Sequence, residues 1–432
     1  MEETMITRVT IQEILADQWE TMSEQTLIKR RFSWADELNY CLTGIRRAGK
    51  SYMLMQRIRD LLDKGIPRDA ILYVNFEDER LLEITAGDLN KFIEVQAETA
   101  PQHRVSYVFL DELQNVAGWE KFVRRLADSK YHVYVTGSNA KMLSREIATT
   151  LGGRFMIEEV YPYSFAEYLK ASGMKPDLSQ GLTTKGRAAM FQAFHSYLME
   201  GAFPELIGLK AKKLYLNTIY QTIYVGDIIA RNGITNEFAL RLLLKKLAES
   251  VCRPISYSRL SNIVKGSGAA IAKSTVIKYI SYMQDSYLII PIYNYQGKLL
   301  DKEMTPKYYF MDTGLLNLLT LDGATASLEN LAAIDLVRRF GQEEVYYYEK
   351  NIEVDFFVPK RRMAMQVCYA LHQSEETFRR EVEGLLKFNA HIPGQDLYIL
   401  TVGEEETIER DGAVIHVVPM WKWLLREEPC II

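Results

Sequence analysis

An eight-residue segment near the start of the chain carries the residue types that hold phosphate. Residues 44–51 read GIRRAGKS, which matches G-x-x-x-x-G-K-[ST] between an apolar run and a helical pattern. The glycines let backbone N–H groups curl around phosphate, Lys50 supplies a cation, and Ser51 offers a hydroxyl to magnesium. The alternative is a chance glycine-rich turn with a surface lysine. The residues predicted to contact a nucleotide are Gly44, Arg46, Arg47, Ala48, Gly49, Lys50, Ser51 and Tyr52.

A pair of carboxylates follows a second apolar run, at residues 105–110. Ligands of open α/β sheets bind at the carboxyl ends of the strands, where Asp111 and Glu112 would lie. In this Walker B arrangement Asp111 would hold magnesium, and Glu112 would polarise the water that attacks the γ-phosphate. An Asp-Glu pair after a strand could equally be a helix N-cap, but the phosphate-binding segment favours the catalytic interpretation.

Two further positions could complete such a site. The run YHVYVTGSN ends in Ser138 and Asn139, which would reach the same sheet edge and contact the γ-phosphate or the water, although an ordinary turn is an alternative. Arg154 in LGGRF, with Arg145 before it, is a candidate arginine finger that would supply positive charge to the transition state. Because surface arginines are abundant, the Arg154 prediction is the weaker of the two.

The elements that would position these residues alternate in type. Short β-rich runs in residues 1–164, among them AILYVNF, VSYVFLDE and YHVYVTGS, alternate with amphipathic stretches. Such alternation predicts a parallel sheet with helices on both faces, and the continuously apolar runs are typical of buried parallel strands. We therefore predict an α/β P-loop core over residues 1–164.

Three further segments complete the predicted organisation. Residues 165–235 are helical and predict a lid, and residues 236–300 show three helical patterns followed by β-rich chain, the order of a winged helix-turn-helix. Residues 301–432 return to mixed character and predict a second α/β domain. A chain of 432 residues exceeds the roughly 250 to 300 at which single cores stop growing, so several domains are expected.

Composition excludes several classes of protein. The net charge of −4 provides no overall basic field for nucleic acid, so DNA binding would need a local patch. The four cysteines are scattered without C-x-x-C spacing, which argues against a zinc site or a disulfide framework and favours the cytosol. The first 20 residues are acidic and polar, unlike a signal peptide, and no apolar run approaches the ~20 residues that span a bilayer.

These motifs, with YVNFEDERL, FLDELQNVAGWE, YLMEGAFPE, YYFMDTGLLN and EVDFFV, resemble those of a group of bacterial and archaeal AAA-type ATPases. The resemblance covers nearly the whole chain. It implies an ATPase core, a lid, a winged helix and a C-terminal domain similar to PD-(D/E)XK nucleases. It also suggests that Arg46 and Arg47 lie on the nucleotide or subunit side, although both could be solvated loop charges.

The nuclease-like domain departs from the pattern that cleavage requires. A PD-(D/E)XK site needs an acidic residue from a helix, an Asp at a hairpin and a (D/E)-x-K strand, because carboxylates hold magnesium and lysine orients water. Glu329, Asp355 and the strand from Gln366 to Cys368 occupy the comparable places. Since Gln366 replaces a carboxylate and Cys368 replaces the lysine, we expect a degenerate fold used for binding or assembly, with an unrelated α/β domain as the alternative.

The winged-helix candidate carries lysines that could meet DNA phosphates. They are Lys265, Lys273 and Lys278. An ordinary solvated face is the alternative, and the apolar positions of the same helices are more simply core.

The function predicted from the sequence is an ATP-dependent conformational switch with ATP and Mg²⁺ as ligands. The alternative is a nucleotide-gated DNA-binding or scaffold protein with little turnover. A homo-oligomer would let Arg154 reach the nucleotide of a neighbouring subunit.

Overall fold

The computed structural model describes residues 6–138, 153–179, 183–296, 305–320 and 323–426. The chain divides into two compact units. The N-terminal unit runs to Tyr161 and includes Asp285–Tyr287, and the C-terminal unit comprises Pro162–Gln284 and the chain from Leu288 onward. No helix among the described residues is long and apolar enough to cross a membrane.

The N-terminal unit is an α/β structure. Its described helices are α1 (Arg8–Glu24), α2 (Lys50–Asp63), α3 (Leu89–Thr99) and α4 (Glu120–Asp128). Its strands are β1 (Asn39–Thr43), β2 (Ile71–Asn75), β3 (Tyr107–Asp111), β4 (His132–Thr136) and β5 (Phe155–Glu159). The strands form one parallel sheet in the order β2-β3-β4-β1-β5. The predicted α/β core with a parallel sheet is therefore confirmed.

The register of this sheet brings the ends of its central strands together. Leu42 pairs with Thr136, and Asn75 pairs with Asp111. All but the first residue of β1, β3 and β4 are buried, as expected when helices cover both faces of a parallel sheet. The polar residues that follow β1, β3 and β4 consequently lie along one edge.

The C-terminal unit begins with helices. These are α5 (Phe165–Ala171), α6 (Thr184–Glu200), α7 (Lys212–Gln221), which continues as a π-helix (Thr222–Ala230), α8 (Glu237–Glu249), α9 (Tyr257–Gly266) and α10 (Lys273–Asp285). The remaining described helices are α11 (Thr313–Leu319), α12 (Ala324–Phe340), α13 (Glu375–His391) and α14 (Met420–Leu424).

The strands of the C-terminal unit form one mixed sheet. They are β6 (Ile289–Asn294), β7 (Lys307–Phe310), β8 (Tyr346–Glu349), β9 (Glu353–Val358), β10 (Met363–Val367), β11 (Asp396–Thr401), β12 (Glu406–Arg410) and β13 (Ala413–Pro419). Their order is β12-β13-β11-β10-β9-β8-β6-β7. Strand β6, which the sequence places in the winged helix, pairs with β7 and also with β8. The boundary predicted at residue 300 therefore falls between two paired strands of one sheet.

A buried aspartate joins α6 to α11. Asp312 Oδ2 accepts a hydrogen bond of 2.7 Å from the Ala202 N–H, and Asp312 Oδ1 accepts one of 3.2 Å from the Leu315 N–H at the start of α11. Burial raises the pKa of Asp312 to about 6, against the effect of these backbone donors. Gly201 ends α6 with φ +86°, and a Cβ there would lie 2.2 Å from Asp312 Oδ1.

We expect Gly201→Ala to destabilise the C-terminal unit more than Gly208→Ala does. Both glycines have positive φ, but nothing lies within 4 Å of a Cβ built on Gly208. Gly208→Ala should cost about 1 kcal/mol of backbone strain. Gly201→Ala should add roughly 1–3 kcal/mol, because Asp312 must move. Urea denaturation of both variants measures the difference, and equal losses would contradict this role for Asp312.

Candidate functional site

The segment GIRRAGKS forms the turn between β1 and α2. Gly44 has φ +133°, and a Cβ there would lie 2.3 Å from the Val160 carbonyl oxygen. Gly49 adopts φ 97° at the N-cap of α2. Because L-residues rarely adopt these angles and Gly44 has no room for a side chain, both positions require glycine. The turn ends in the N-terminus of α2, whose first N–H groups have no partners within the helix.

The Lys50 ammonium lies over this turn. Its Nζ donates hydrogen bonds to the carbonyl oxygens of Gly44 and Ile45, at 3.1 and 3.2 Å. The same atom lies 3.9 Å from Glu112 Oε1, and the side chain is 3% exposed. These two hydrogen bonds to neutral carbonyls can be exchanged for stronger, charge-assisted bonds to phosphate oxygens.

Asp111 lies at the carboxyl end of β3 and is fully buried. Thr136 Oγ1 donates a hydrogen bond to its Oδ1, and the Tyr73 hydroxyl donates one of 3.0 Å to its Oδ2. Ser51 also hydrogen-bonds to this carboxylate. A hydroxyl and a carboxylate side by side are oxygen donors of the kind that Mg²⁺ prefers. The residues present therefore fit a magnesium ion.

Burial raises the pKa of Asp111 to about 6, and the charge of Glu112 acts in the same direction. The hydrogen bonds from Thr136, Ser51 and Tyr73 oppose the shift. A cation next to this carboxylate would replace the proton that burial favours. Burial also raises the pKa of Tyr73 well above its usual value, so its hydroxyl stays a donor to Asp111.

Glu112 occupies a left-handed backbone conformation, with φ 52°. Its N–H donates to Thr136 Oγ1 at 2.8 Å, and its Oε2 accepts a bond from the Gln114 amide. The first bond fixes the backbone of Glu112 and the second orients its carboxylate, which lies near Lys50. The structure brings together the P-loop lysine and both carboxylates that the sequence singled out.

The remaining loop residues lie at different depths. Ala48 is fully buried, whereas Tyr52 is 43% exposed and its hydroxyl donates to Gln25 Oε1 at 3.1 Å. Arg46 forms an ion pair of 3.0 Å with Glu77. Arg47 has φ 66°.

The residues predicted as the sensor and as the arginine finger lie in different surroundings. Ser138 is buried, and its hydroxyl has no hydrogen-bond partner among the described residues. Asn139 and Arg145 lie outside the described residues. Arg154 precedes β5 and forms an ion pair of 2.9 Å with Asp128.

The position of Arg154 bears on the finger prediction. Its neighbour Phe155 pairs with Asn39 at the start of β1, whereas the P-loop follows the end of that strand. A five-residue strand spans roughly 15 Å. Arg154 therefore lies at the opposite edge of the sheet from its own P-loop, too far to contact a nucleotide held there.

Sequence reasoning missed three residues that support the site. Tyr73 and Thr136 hold Asp111, as described above. Arg30 is buried and donates to the carbonyl oxygens of Ala48, at 3.1 Å, and Tyr161, at 2.8 Å. Tyr73 and Thr136 were detectable in principle, since each lies in a strand that flanks or neighbours β3, but nothing in the pattern around Arg30 indicates its contacts.

The C-terminal candidate residues have different surroundings. Glu329 on α12 and Asp355 on β9 each lie 3.6 Å from the Lys307 ammonium. The Gln366 amide is bonded to the backbone of Asp355 and Glu353. Burial raises the pKa of the Cys368 thiol to about 12, so the thiol is not a nucleophile at neutral pH.

Comparisons with known proteins identify the N-terminal unit. The family profile of the AAA domain matches residues 37–169, and that of a domain of unknown function (DUF8612) matches residues 191–345. Among solved structures, the ORC1 protein of Aeropyrum pernix in complex with DNA has a TM-score of 0.29 at 12% identity, with 78% of this chain and 95% of that chain covered.

Two relatives match over nearly their whole length. An uncharacterized protein of Methanocaldococcus jannaschii is 29% identical over 433 residues, covering 97% of this chain and 96% of that protein. An uncharacterized protein of Haemophilus influenzae is 31% identical over 395 residues, covering 89% of this chain and 94% of that protein. The chain belongs to the same family as the Haemophilus influenzae protein, and its residues 37–169 form an AAA domain.

Proposed function

We propose that the N-terminal unit hydrolyses Mg-ATP at the edge of its sheet and that the reaction drives a conformational switch. One observation carries the proposal, namely that Lys50 of the P-loop lies 3.9 Å from Glu112, which directly follows the buried Asp111. These three groups have the charges that phosphoryl transfer to water requires, because a cation meets the phosphate and a carboxylate orients the water.

Each residue would have a separate task. The backbone of Gly44–Ser51 and the α2 N-terminus would bind the β- and γ-phosphates, with Lys50 turning from the Gly44 and Ile45 carbonyls to the phosphate oxygens. Ser51 and Asp111 would hold Mg²⁺, which when bound neutralises charge on the phosphates. Glu112, oriented by Gln114, would accept a hydrogen bond from the attacking water. Ser138, with Asn139 after it, would contact the γ-phosphate or that water.

We expect Lys50→Ala and Glu112→Gln to separate binding from turnover. Lys50→Ala removes a phosphate ligand and should weaken ATP binding and abolish phosphate release. Glu112→Gln removes only the group that orients water, so it should keep ATP binding and lower turnover at least 100-fold. Steady-state phosphate release and binding of a fluorescent ATP analogue measure the two effects.

The matched control is Lys121→Ala, which removes an exposed lysine of α4 and should leave both measurements unchanged. Wild-type turnover that persists in Lys50→Ala would refute the proposed site. Wild-type protein that binds ATP without turnover would instead favour the nucleotide-gated alternative.

The raised pKa of Asp111 predicts a pH-dependent contribution of Mg²⁺ to ATP binding. Since the pKa of Asp111 is about 6 in the nucleotide-free protein, the carboxylate is ionised above pH 6 and protonated below it. The affinity gained from Mg²⁺ should be fully present at pH 8 and fall about tenfold per pH unit below pH 6. ATP affinities measured with Mg²⁺ and with EDTA between pH 5 and 8 test this.

Asp111→Asn provides the reference for this experiment, because ATP itself also titrates in this range. Its Mg²⁺ dependence should be weak at every pH, so the ratio of wild type to variant isolates Asp111. A ratio that does not change between pH 5 and 8 would contradict the magnesium assignment.

Arg154 would complete the site of a second copy of the chain. Arg154 lies at the sheet edge opposite its own P-loop, which supports this proposal. From that place it could reach a nucleotide bound to a neighbouring subunit. Arg154→Ala should retain ATP binding but lose turnover. Mixed with Lys50→Ala it should regain activity, since the Lys50→Ala subunit supplies Arg154 to an intact P-loop. Phosphate release of the mixture measures this.

The control for the mixing experiment is Asp128→Ala, which removes the ion-pair partner of Arg154 but leaves the guanidinium in place. It should retain turnover alone. No recovery in the mixture would show that Arg154 has a structural role only.

The C-terminal unit would be the part of the protein whose position changes when the N-terminal unit hydrolyses ATP. The order α8, α9, α10, β6, β7, with β6 and β7 antiparallel, supports a winged helix-turn-helix. Three exposed lysines of α9 and α10, at positions 265, 273 and 278, would meet DNA phosphates. The elements that carry Glu329, Asp355 and Gln366 support a degenerate nuclease-like fold over residues 301–432, with residues 165–235 as the lid. ATP turnover with and without duplex DNA, over a range of salt, tests whether DNA is the partner.

A further inference from the structure

A buried ammonium lies among three carboxylates in the C-terminal unit. Lys307 Nζ at the start of β7 lies 3.6 Å from Glu329 Oε1, 3.5 Å from Glu353 Oε1 and 3.6 Å from Asp355 Oδ1. The Lys307 side chain is 0% exposed, and Glu353 is 60% exposed. The group, termed here the Lys307 cluster, joins β7, α12 and β9 and opens to solvent on the Glu353 side.

The Lys307 ammonium occupies the middle of the cluster without a direct hydrogen bond. No donor–acceptor contact of hydrogen-bond length reaches its Nζ among the described residues. The three distances are nearly equal, so the ammonium faces all three carboxylates to the same extent. Burial lowers the pKa of Lys307, but Glu329, Asp355 and Glu353 outweigh burial and raise it. Lys307 therefore stays a cation and is neither a base nor a nucleophile.

Each buried carboxylate of the cluster has a second partner. The Tyr309 hydroxyl donates to Glu329 Oε1 at 2.7 Å, and the Val367 N–H donates to Asp355 Oδ2 at 2.9 Å. A buried carboxylate is costly without such partners and an opposite charge. The hydrogen bonds fix the carboxylate positions, and the ammonium supplies the charge.

The polar groups next to the cluster are themselves paired, and the Cys252 thiol is hydrogen-bonded to Glu329. The Gln366 side chain accepts from the Asp355 N–H at 2.9 Å and donates to the Glu353 carbonyl at 3.2 Å, so its amide links β9 to β10. Glu381, which also faces Asp355, is paired with Arg380. Among the described residues, no group of three or more His, Cys, Asp or Glu side chains is arranged to hold a metal ion.

We propose that Lys307 is the resident cation of a carboxylate site and occupies the position that a divalent metal ion would need. The site consequently binds no metal in the intact protein. The charge of Lys307 instead holds β7 against α12 and β9, so the nuclease-like part of the chain is structural at this point and does not hydrolyse phosphodiesters.

Removing the ammonium should create a metal site. Lys307→Met keeps an unbranched side chain but lacks the terminal nitrogen, so it vacates the position among the three carboxylates, and hard cations prefer carboxylate oxygens. In the nucleotide-free full-length protein, Lys307→Met should bind one more Mn²⁺ per chain than wild type, measured by the loss of the electron paramagnetic resonance signal of free Mn²⁺. Adding Asp355→Asn to Lys307→Met should abolish the gain.

The matched control is Lys360→Met, which removes an exposed lysine paired with Glu344 and should gain no Mn²⁺ site. A wild-type Mn²⁺ site that Asp355→Asn removes would overturn the proposal, because the cluster would then already hold metal. Folded Lys307→Met without additional Mn²⁺ would overturn it as well. If Lys307→Met lowers the thermal midpoint, added Mn²⁺ should raise it again, and a variant that stays unstable or unfolded in Mn²⁺ counts against the proposal.

Discussion

The parallel register of the N-terminal sheet is the constraint on which the candidate site depends. Hydrogen bonding aligns Leu42 of β1 with Thr136 of β4, and Asn75 of β2 with Asp111 of β3. Each strand then ends at the same edge, so residues as far apart in sequence as Leu42 and Thr136 become neighbours in space. The P-loop, Asp111 with Glu112, and Thr136 with Ser138 are brought together by this alignment, and a shift of one residue would turn every side chain to the other face.

Buried charge is stabilised differently in the two units. In the N-terminal unit, Asp111 is surrounded by neutral hydroxyl donors from Thr136, Ser51 and Tyr73, which hold the carboxylate in place but leave much of its desolvation cost uncompensated. Its pKa is consequently raised, and the site favours a cation. In the C-terminal unit, burial also raises the pKa of Glu329 and Asp355, but Lys307 opposes the shift with a positive charge inside the protein. The first arrangement suits a ligand that comes and goes, and the second suits a permanent contact.

Much of the N-terminal unit was predictable because its signals are local. Local sequence is enough to predict the conformation and the place in the sheet of short apolar runs, of the glycines at positions 44 and 49, and of carboxylates directly after a strand. The support from Arg30 was not predictable, because its contacts with the carbonyl oxygens of Ala48 and Tyr161 join segments that are far apart in sequence. In the C-terminal unit, Lys307 was not predicted for the same reason, because its cluster is formed by residues of β7, α12 and β9, which are far apart in sequence.

The sequence by itself determined the phosphate-binding turn, the α/β class of the N-terminal unit and the identities of the residues at its sheet edge, because these follow from spacing and periodicity. Only the tertiary structure decided that Arg154 lies at the edge opposite its own P-loop, that β6 and β7 belong to one sheet with β8, and that Lys307 lies among three carboxylates. These facts depend on strand order and on contacts between distant segments, which local sequence patterns do not encode.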